Sequence, residues 1–296
     1  MLGEVLTAVV TPFDERGRVN IDSFRRLAAH LLENGSDGLV VAGTTGEAPT
    51  LSDDERMELF AAAVEVCHDR GGTVIAGTGT YSTEHSVHLT KEADALGVDA
   101  FLVVTPYYNK PPVRGVIAHF AAIAEATDNP IVAYNIPQRV VMNLEPDALI
   151  QLRRDVPQVE YVKQATTDLD QARRIVEESG LTLLAGNDDL LLPFLELGGR
   201  GGIFVFTHLV GRQVKEVIGR FDEGDRDGAA AIARDIQPVI DALAVTTNPI
   251  PVKAALNMLG HEVGGHRLPL VEATDEEKDV VRAALEGAGI LAAARA

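Results

Sequence analysis

The sequence predicts an α/β fold: a closed (β/α)8 TIM barrel followed by a C-terminal helical extension. Three observations predict it. Eight short runs rich in β-branched and aliphatic residues occupy positions 5–10, 38–42, 73–77, 100–105, 131–135, 159–165, 181–185 and 202–206. They recur at intervals of roughly 20–35 residues, the length of a strand–helix unit. They are mostly apolar rather than alternating, as parallel strands buried on both faces require. Eight such units in a 296-residue chain close into a barrel. An open doubly wound sheet is the poorer reading, because Thr11-Pro12-Phe13 follows the first strand where a G-x-G-x-x-G turn would open a helix.

The segments between the strands carry helix punctuation in order. Asp22 is positioned to cap a helix running to Asn34-Gly35. Ser52-Asp53-Asp54-Glu55 has capping-box spacing, and Pro146 stands in a first turn. Gly71, Gly97 and Gly180 fall where helices should end. Gly198-Gly199-Arg200-Gly201-Gly202 precedes the eighth strand and reads as a tight helix-to-strand connection, at the wrong end of a barrel for a phosphate loop. The eighth unit ends near Arg220, and an acidic link at 221–225 follows. Helices are expected at about 227–243, at 251–259 and after the Thr274-Asp275-Glu276-Glu277 capping box. The domains are therefore a catalytic barrel at 1–222 and a helical extension at 223–296.

Composition narrows the function. A net charge of −18 argues against nucleic acid and anionic membrane surfaces as partners. The single Cys67, in a helical setting, rules out a disulfide framework and a cysteine-rich metal site. His85 with His88, and His261-Glu262 with His266, lack metal-ligand spacing, and no cofactor fingerprint occurs. No apolar run approaches a membrane span, and the N-terminus opens on a strand rather than a signal peptide, so a cytoplasmic chain is expected.

Barrel enzymes place their sites at the carboxyl ends of the strands. Here those ends are Gly43-Thr44-Thr45-Gly46-Glu47, Thr105-Pro106-Tyr107-Tyr108-Asn109, Tyr134 to Arg139, Lys163, and Gly186-Asn187-Asp188. Lys163 stands in Val159-Glu160-Tyr161-Val162-Lys163-Gln164-Ala165, otherwise an interior strand. The five other lysines (Lys91, Lys110, Lys215, Lys253 and Lys278) fall on predicted helices or loops. A buried ammonium is costly unless paired or neutralised, and a deprotonated lysine is a nucleophile able to form a Schiff base. Each rim residue has a plainer use: Lys163 reaching a carboxylate or solvent, Thr44-Thr45 as a hydroxyl-stabilised turn, Tyr134 as a core phenol, Arg139 as a surface ion pair. Their joint placement points instead to a small carboxylated carbonyl compound with acid–base phenols at hand.

These residues resemble the dihydrodipicolinate synthase / N-acetylneuraminate lyase family of class I aldolase-like barrels. The matching motifs are Gly43 to Glu47, Val104 to Asn109, Tyr134-Asn135-Ile136-Pro137, Val162-Lys163 and Asn248-Pro249-Ile250-Pro251-Val252-Lys253, spread over essentially the whole chain. Thr44-Thr45 and Arg139 are similar to the synthase branch. The resemblance implies condensation of pyruvate with L-aspartate-4-semialdehyde through a Schiff base on Lys163. A pyruvate-dependent aldolase of a 2-keto-3-deoxy sugar acid is the alternative, and a catalytically silent barrel a more distant one. The catalytic set is then Lys163, Tyr134, Thr44 and Tyr108. Thr45, Arg139, Gly186 and Ile203 bind substrate, and no cofactor or metal is needed. Tyr108 is expected to enter a neighbouring subunit's site in a homo-oligomer, a dimer of dimers. Three departures stand out: Val140-Val141 in place of Thr-Gly, and Gln164 and Asn187 in place of acidic residues. Tyr81 and His85 replace an asparagine and a glutamate of the lysine feedback site, so weak or absent inhibition by lysine is expected.

Overall fold

A computed structural model describes residues 2–291; the last five residues assigned above to the extension lie outside the described residues. Eight parallel strands close on themselves in sequence order: β1 (Val5–Ala8), β2 (Gly38–Val41), β3 (Thr73–Gly77), β4 (Ala100–Val104), β5 (Ile131–Asn135), β6 (Val159–Gln164), β7 (Thr182–Ala185) and β8 (Gly202–Phe204). All eight expected strands are present, shorter than expected by up to two residues at their ends. Between them run α1 (Ile21–Glu33), α2 (Asp53–His68), α3 (Thr83–Ala95), α4 (Val113–Ala124), α5 (Pro137–Val140), α6 (Pro146–Asp155), α7 (Leu169–Arg174) and α8 (Leu191–Glu196), and α9 (Thr207–Asp222) follows β8.

Helices α1, α2, α3 and α7 begin where a side chain satisfies an orphan backbone amide. Ser52 and Glu55 form the expected capping box on α2. On α1 the cap is Asn20 rather than Asp22, its side chain accepting from the Ser23 amide. Asp22 falls inside the first turn instead, where its charge still complements the helix dipole. Gly201 shows why the glycine-rich link before β8 is tight. It adopts a φ of +79°, and a Cβ there would come within 2.0 Å of the Glu4 carbonyl oxygen.

Two apolar layers follow from strand alternation. Leu6, Val40, Ile75, Leu102, Val132, Tyr134, Tyr161, Leu184 and Ile203 point inward and fill the barrel. Their sequence neighbours, such as Phe101, Val103, Val162 and Leu183, point outward into the larger core beneath the helices. The same alternation explains one departure. Lys163 lies on the inner face with Tyr161 and Ala165, so Gln164 faces outward. There its amide meets Asn135 at 3.1 Å and Thr166 at 3.1 Å, in a neutral network under the helices.

After α9 the chain builds α10 (Arg226–Leu243), α11 (Ile250–Met258) and α12 (Asp275–Gly287). The last starts at the expected Thr274 capping box. Ala255, Val281 and Leu285 pack α11 against α12, which brings the start of α11 over the carboxyl-end rim of the barrel.

Candidate active site

Strand pairing sets Lys163 on β6 opposite Tyr134 on β5. Lys163 is only 5% exposed, and its Nζ lies 4.4 Å from the centre of the Tyr134 ring. No hydrogen bond or ion pair to this ammonium occurs among the described residues. With no partner to hold it, Nζ is free to act as a nucleophile toward a carbonyl carbon. Tyr134, against which Lys163 packs, forms part of the wall of a cavity of about 300 Å³. Thr44, Tyr107, Arg139, Asn248 and Arg56 line the same cavity. A larger hollow of about 670 Å³ opens at the amino ends of the strands. Its charges are matched in the pairs Lys215–Asp37, Arg70–Glu33 and Arg200–Glu4, and it forms the barrel floor.

The expected residues divide into groups. Thr44 faces the cavity, while Thr45 is buried and its hydroxyl accepts from Asn248 Nδ2 at 3.0 Å. Arg139, exposed at the rim, donates from Nη2 to the Asn248 carbonyl at 3.4 Å. Gly186 directly follows β7, where an added Cβ would come within 2.9 Å of the Gln164 carbonyl oxygen and of Ala165 Cβ. Only glycine lets these two strand ends approach so closely beside Lys163. Ile203 is fully buried on the inner face of β8.

Tyr108 does not join them. It is 93% exposed, with a φ of +69° that turns it away from its own chain's cavity. Its neighbour Tyr107 takes the place in the wall, edge-on to Tyr81 at a ring separation of 5.3 Å, and burial raises its phenol pKa. Within one chain, then, the two phenols that line the cavity are Tyr134 and Tyr107. Nothing in the dipeptide Tyr107-Tyr108 reveals which ring turns inward, because the backbone reversal there is a tertiary feature.

Two further residues carried no role in the sequence reading. Asn248 touches both Thr45 and Arg139, and so links the two sides of the cavity. Asp188, after Gly186 and Asn187, accepts hydrogen bonds from the Val205 and Phe206 amides at 2.9 Å each. Burial pushes its carboxyl up to about 6, against the opposing pull of those amides and the Lys163 charge. Its position at a strand end was the signal available. At the feedback positions, His85 Nε2 meets the Asp53 carboxylate at 2.9 Å, and Tyr81 is exposed beside Tyr107.

A parallel eightfold barrel with a buried, unpaired lysine at its carboxyl-end rim defines the class: Schiff-base aldolase-type lyases. The profile of the Dihydrodipicolinate synthetase family matches residues 1–288, and the chain belongs to that family. It is 47% identical over 291 residues to the 4-hydroxy-tetrahydrodipicolinate synthase of Moorella thermoacetica, covering 98% of this chain and 99% of that one. The structure superimposes with a TM-score of 0.96 on a crystal structure of DHDPS from Cyanidioschyzon merolae with lysine bound, at 42% identity and 98% and 99% coverage. A second neighbour is the chloride-inhibited dihydrodipicolinate synthase from Acinetobacter baumannii complexed with pyruvate. It has a TM-score of 0.94 at 34% identity, covering 98% of this chain and all of that one.

Proposed function

We propose that this chain is a 4-hydroxy-tetrahydrodipicolinate synthase, condensing pyruvate with L-aspartate-4-semialdehyde in lysine and diaminopimelate biosynthesis. The observation that carries the proposal is the buried Lys163 Nζ, unpaired against Tyr134. The hydroxyl turn and Arg139 of the adjoining cavity support two carboxylate subsites.

Lys163 Nζ attacks the pyruvate keto carbon, and loss of water gives an iminium. The pyruvate carboxylate rests on the Thr44-Thr45 turn, with Gly186 and Ile203 shaping the pocket around it. The iminium withdraws electrons from the methyl group, which gives up a proton and becomes an enamine. The enamine carbon bonds to the semialdehyde carbonyl carbon, whose oxygen takes up a proton. The substrate's own amine then displaces Lys163 from the imine carbon and closes the ring. Tyr134 moves protons at the imine and enamine steps, with Thr44 as the first relay. Arg139 clamps the incoming carboxylate. The iminium is itself the electron sink, so no step calls for a metal or organic cofactor.

The outward Tyr108, with Tyr81 exposed on the same rim, supports a second copy of the chain covering this face. Tyr108 then completes the partner's proton relay, a dimer is the minimal functional unit, and a dimer of dimers is the expected assembly. No helix among the described residues is long and apolar enough to cross a membrane; a cytoplasmic site of action suits the proposed biosynthetic role. His85, held by Asp53 where the resemblance expects a glutamate, supports weak or absent feedback by lysine.

Reduction with borohydride in the presence of pyruvate, followed by peptide mass spectrometry, tests the central step. An adduct on Lys163 is the expected result, in lower yield when the semialdehyde is added before reduction and in unchanged yield when sugar-derived aldehydes are. The absence of any adduct would remove the enzymatic reading.

A further inference from the structure

Lys253 is more deeply buried than Lys163. Its side chain and that of Glu47 are both 0% exposed, with Nζ and Oε1 3.0 Å apart. The ammonium also donates to the carbonyls of Thr11, at 2.9 Å, and Gly265, so three protons meet three acceptors. The second Glu47 oxygen accepts from the Arg267 amide at 3.2 Å. One ammonium therefore joins the loop after β1, the loop after β2 and the helical extension.

Glu47 is also the residue that closes the hydroxyl turn. It adopts a left-handed φ of +56°, and its amide donates to the Thr44 carbonyl at 3.1 Å. Six residues of the extension, 248 to 253, hence touch the site at three points: Asn248 on the Thr45 hydroxyl, Asn248 on Arg139, and Lys253 on Glu47. A buried ion pair is weak support for stability, because apolar residues of like volume serve as well or better. What a fully hydrogen-bonded pair supplies is direction and a set separation.

Resting on the function proposed above, we propose that Lys253 and Glu47 are positioning residues: their ion pair holds the Thr44-Thr45 turn at a set distance from Arg139, making the helical extension part of the substrate site. The extension then sets the spacing between the pyruvate carboxylate and the carboxylate of the second substrate.

The test is the double variant E47Q/K253M, which removes both charges and leaves neither one stranded. Its KM for pyruvate should rise about tenfold or more, the scale of a lost hydrogen bond to a charged group. Lys163 should still be trapped by borohydride at saturating pyruvate. The control is Leu152→Ala, a core truncation in α6, outside the extension. It should lower Tm while leaving the KM for pyruvate within about twofold of wild type. A double variant with a KM within about twofold of wild type overturns the proposal. Should that variant not fold, Asn248→Ala removes the other strut at a half-buried position. A several-fold rise in KM then supports the proposal, and an unchanged KM overturns it. A wild-type chain that gives no borohydride adduct overturns the function and this inference together. An adduct in wild type with unaltered KM in the variants overturns this inference alone.

Discussion

Lys163 and Lys253 are both buried lysines at the carboxyl-end rim of the barrel, and their surroundings are opposite. Lys253 meets a carboxylate and two carbonyls, and nothing about it is left to react. Lys163 meets the face of a phenol ring, and Asp188, the carboxylate whose charge reaches it, is already held by two backbone amides. Burial alone therefore does not mark a reactive lysine. A matched ammonium serves as a tie, whereas the Nζ of an unmatched one is left open to a substrate carbonyl.

The largest expected effect comes from the unmatched lysine. Lys163→Met should lower kcat by about 10⁴-fold or more, the scale of losing a covalent nucleophile. Its Tm should hold or rise, because no partner is stranded. A large fall in Tm would mean that Lys163 is matched after all, and the comparison would break. Lys253→Met is the converse. It strands Glu47 in the interior and should cost about 3–5 kcal/mol of stability in urea unfolding. The fraction that remains folded should still form the Lys163 adduct.

Asp188 sharpens the comparison further, because it would be the counterpart of Glu47. Its carboxyl is raised to about 6 in the folded protein, above the ordinary value near 4. The native chain therefore holds a proton that the unfolded chain releases. The stability from this group is present below pH 4 and is lost as pH rises through 6. Asp188→Asn should flatten that profile and gain on the order of 1 kcal/mol at pH 7, read from urea unfolding across pH 4 to 7. Destabilisation at pH 7 would show that Asp188 serves Lys163 as Glu47 serves Lys253. The smallest effect concerns the Arg139 loop. Val141 is 70% exposed and held at a φ of +64°, which is strained for a β-branched residue. Val141→Gly should raise stability by about 0.5 kcal/mol, with the Lys163 adduct unchanged.

Most of the frame was legible in the sequence. The eight strands could be read because strands buried on both faces are almost wholly apolar, so a single lysine among them stands out. The caps at Ser52 and Thr274 could be read because capping is local chemistry. Asp22 misled because Asn20, two residues earlier, offers an equally good capping group. Tyr108 and Tyr107 were indistinguishable for a different reason. Adjacent residues of one type differ only through the backbone reversal at φ +69°, which distant packing decides.

The sequence by itself determined the barrel, the inward face of β6 and the presence there of one lysine, since period and polarity are properties of neighbouring residues. Only the tertiary structure decided which buried lysine is matched. Glu47 and Lys253 stand 206 positions apart, and Asn248 and Thr45 203 apart. Whether a buried lysine is tied by partners or left open to react depends on what lies within about 4 Å of it. In this chain those neighbours are brought together by barrel closure and by the docking of α11 on the rim.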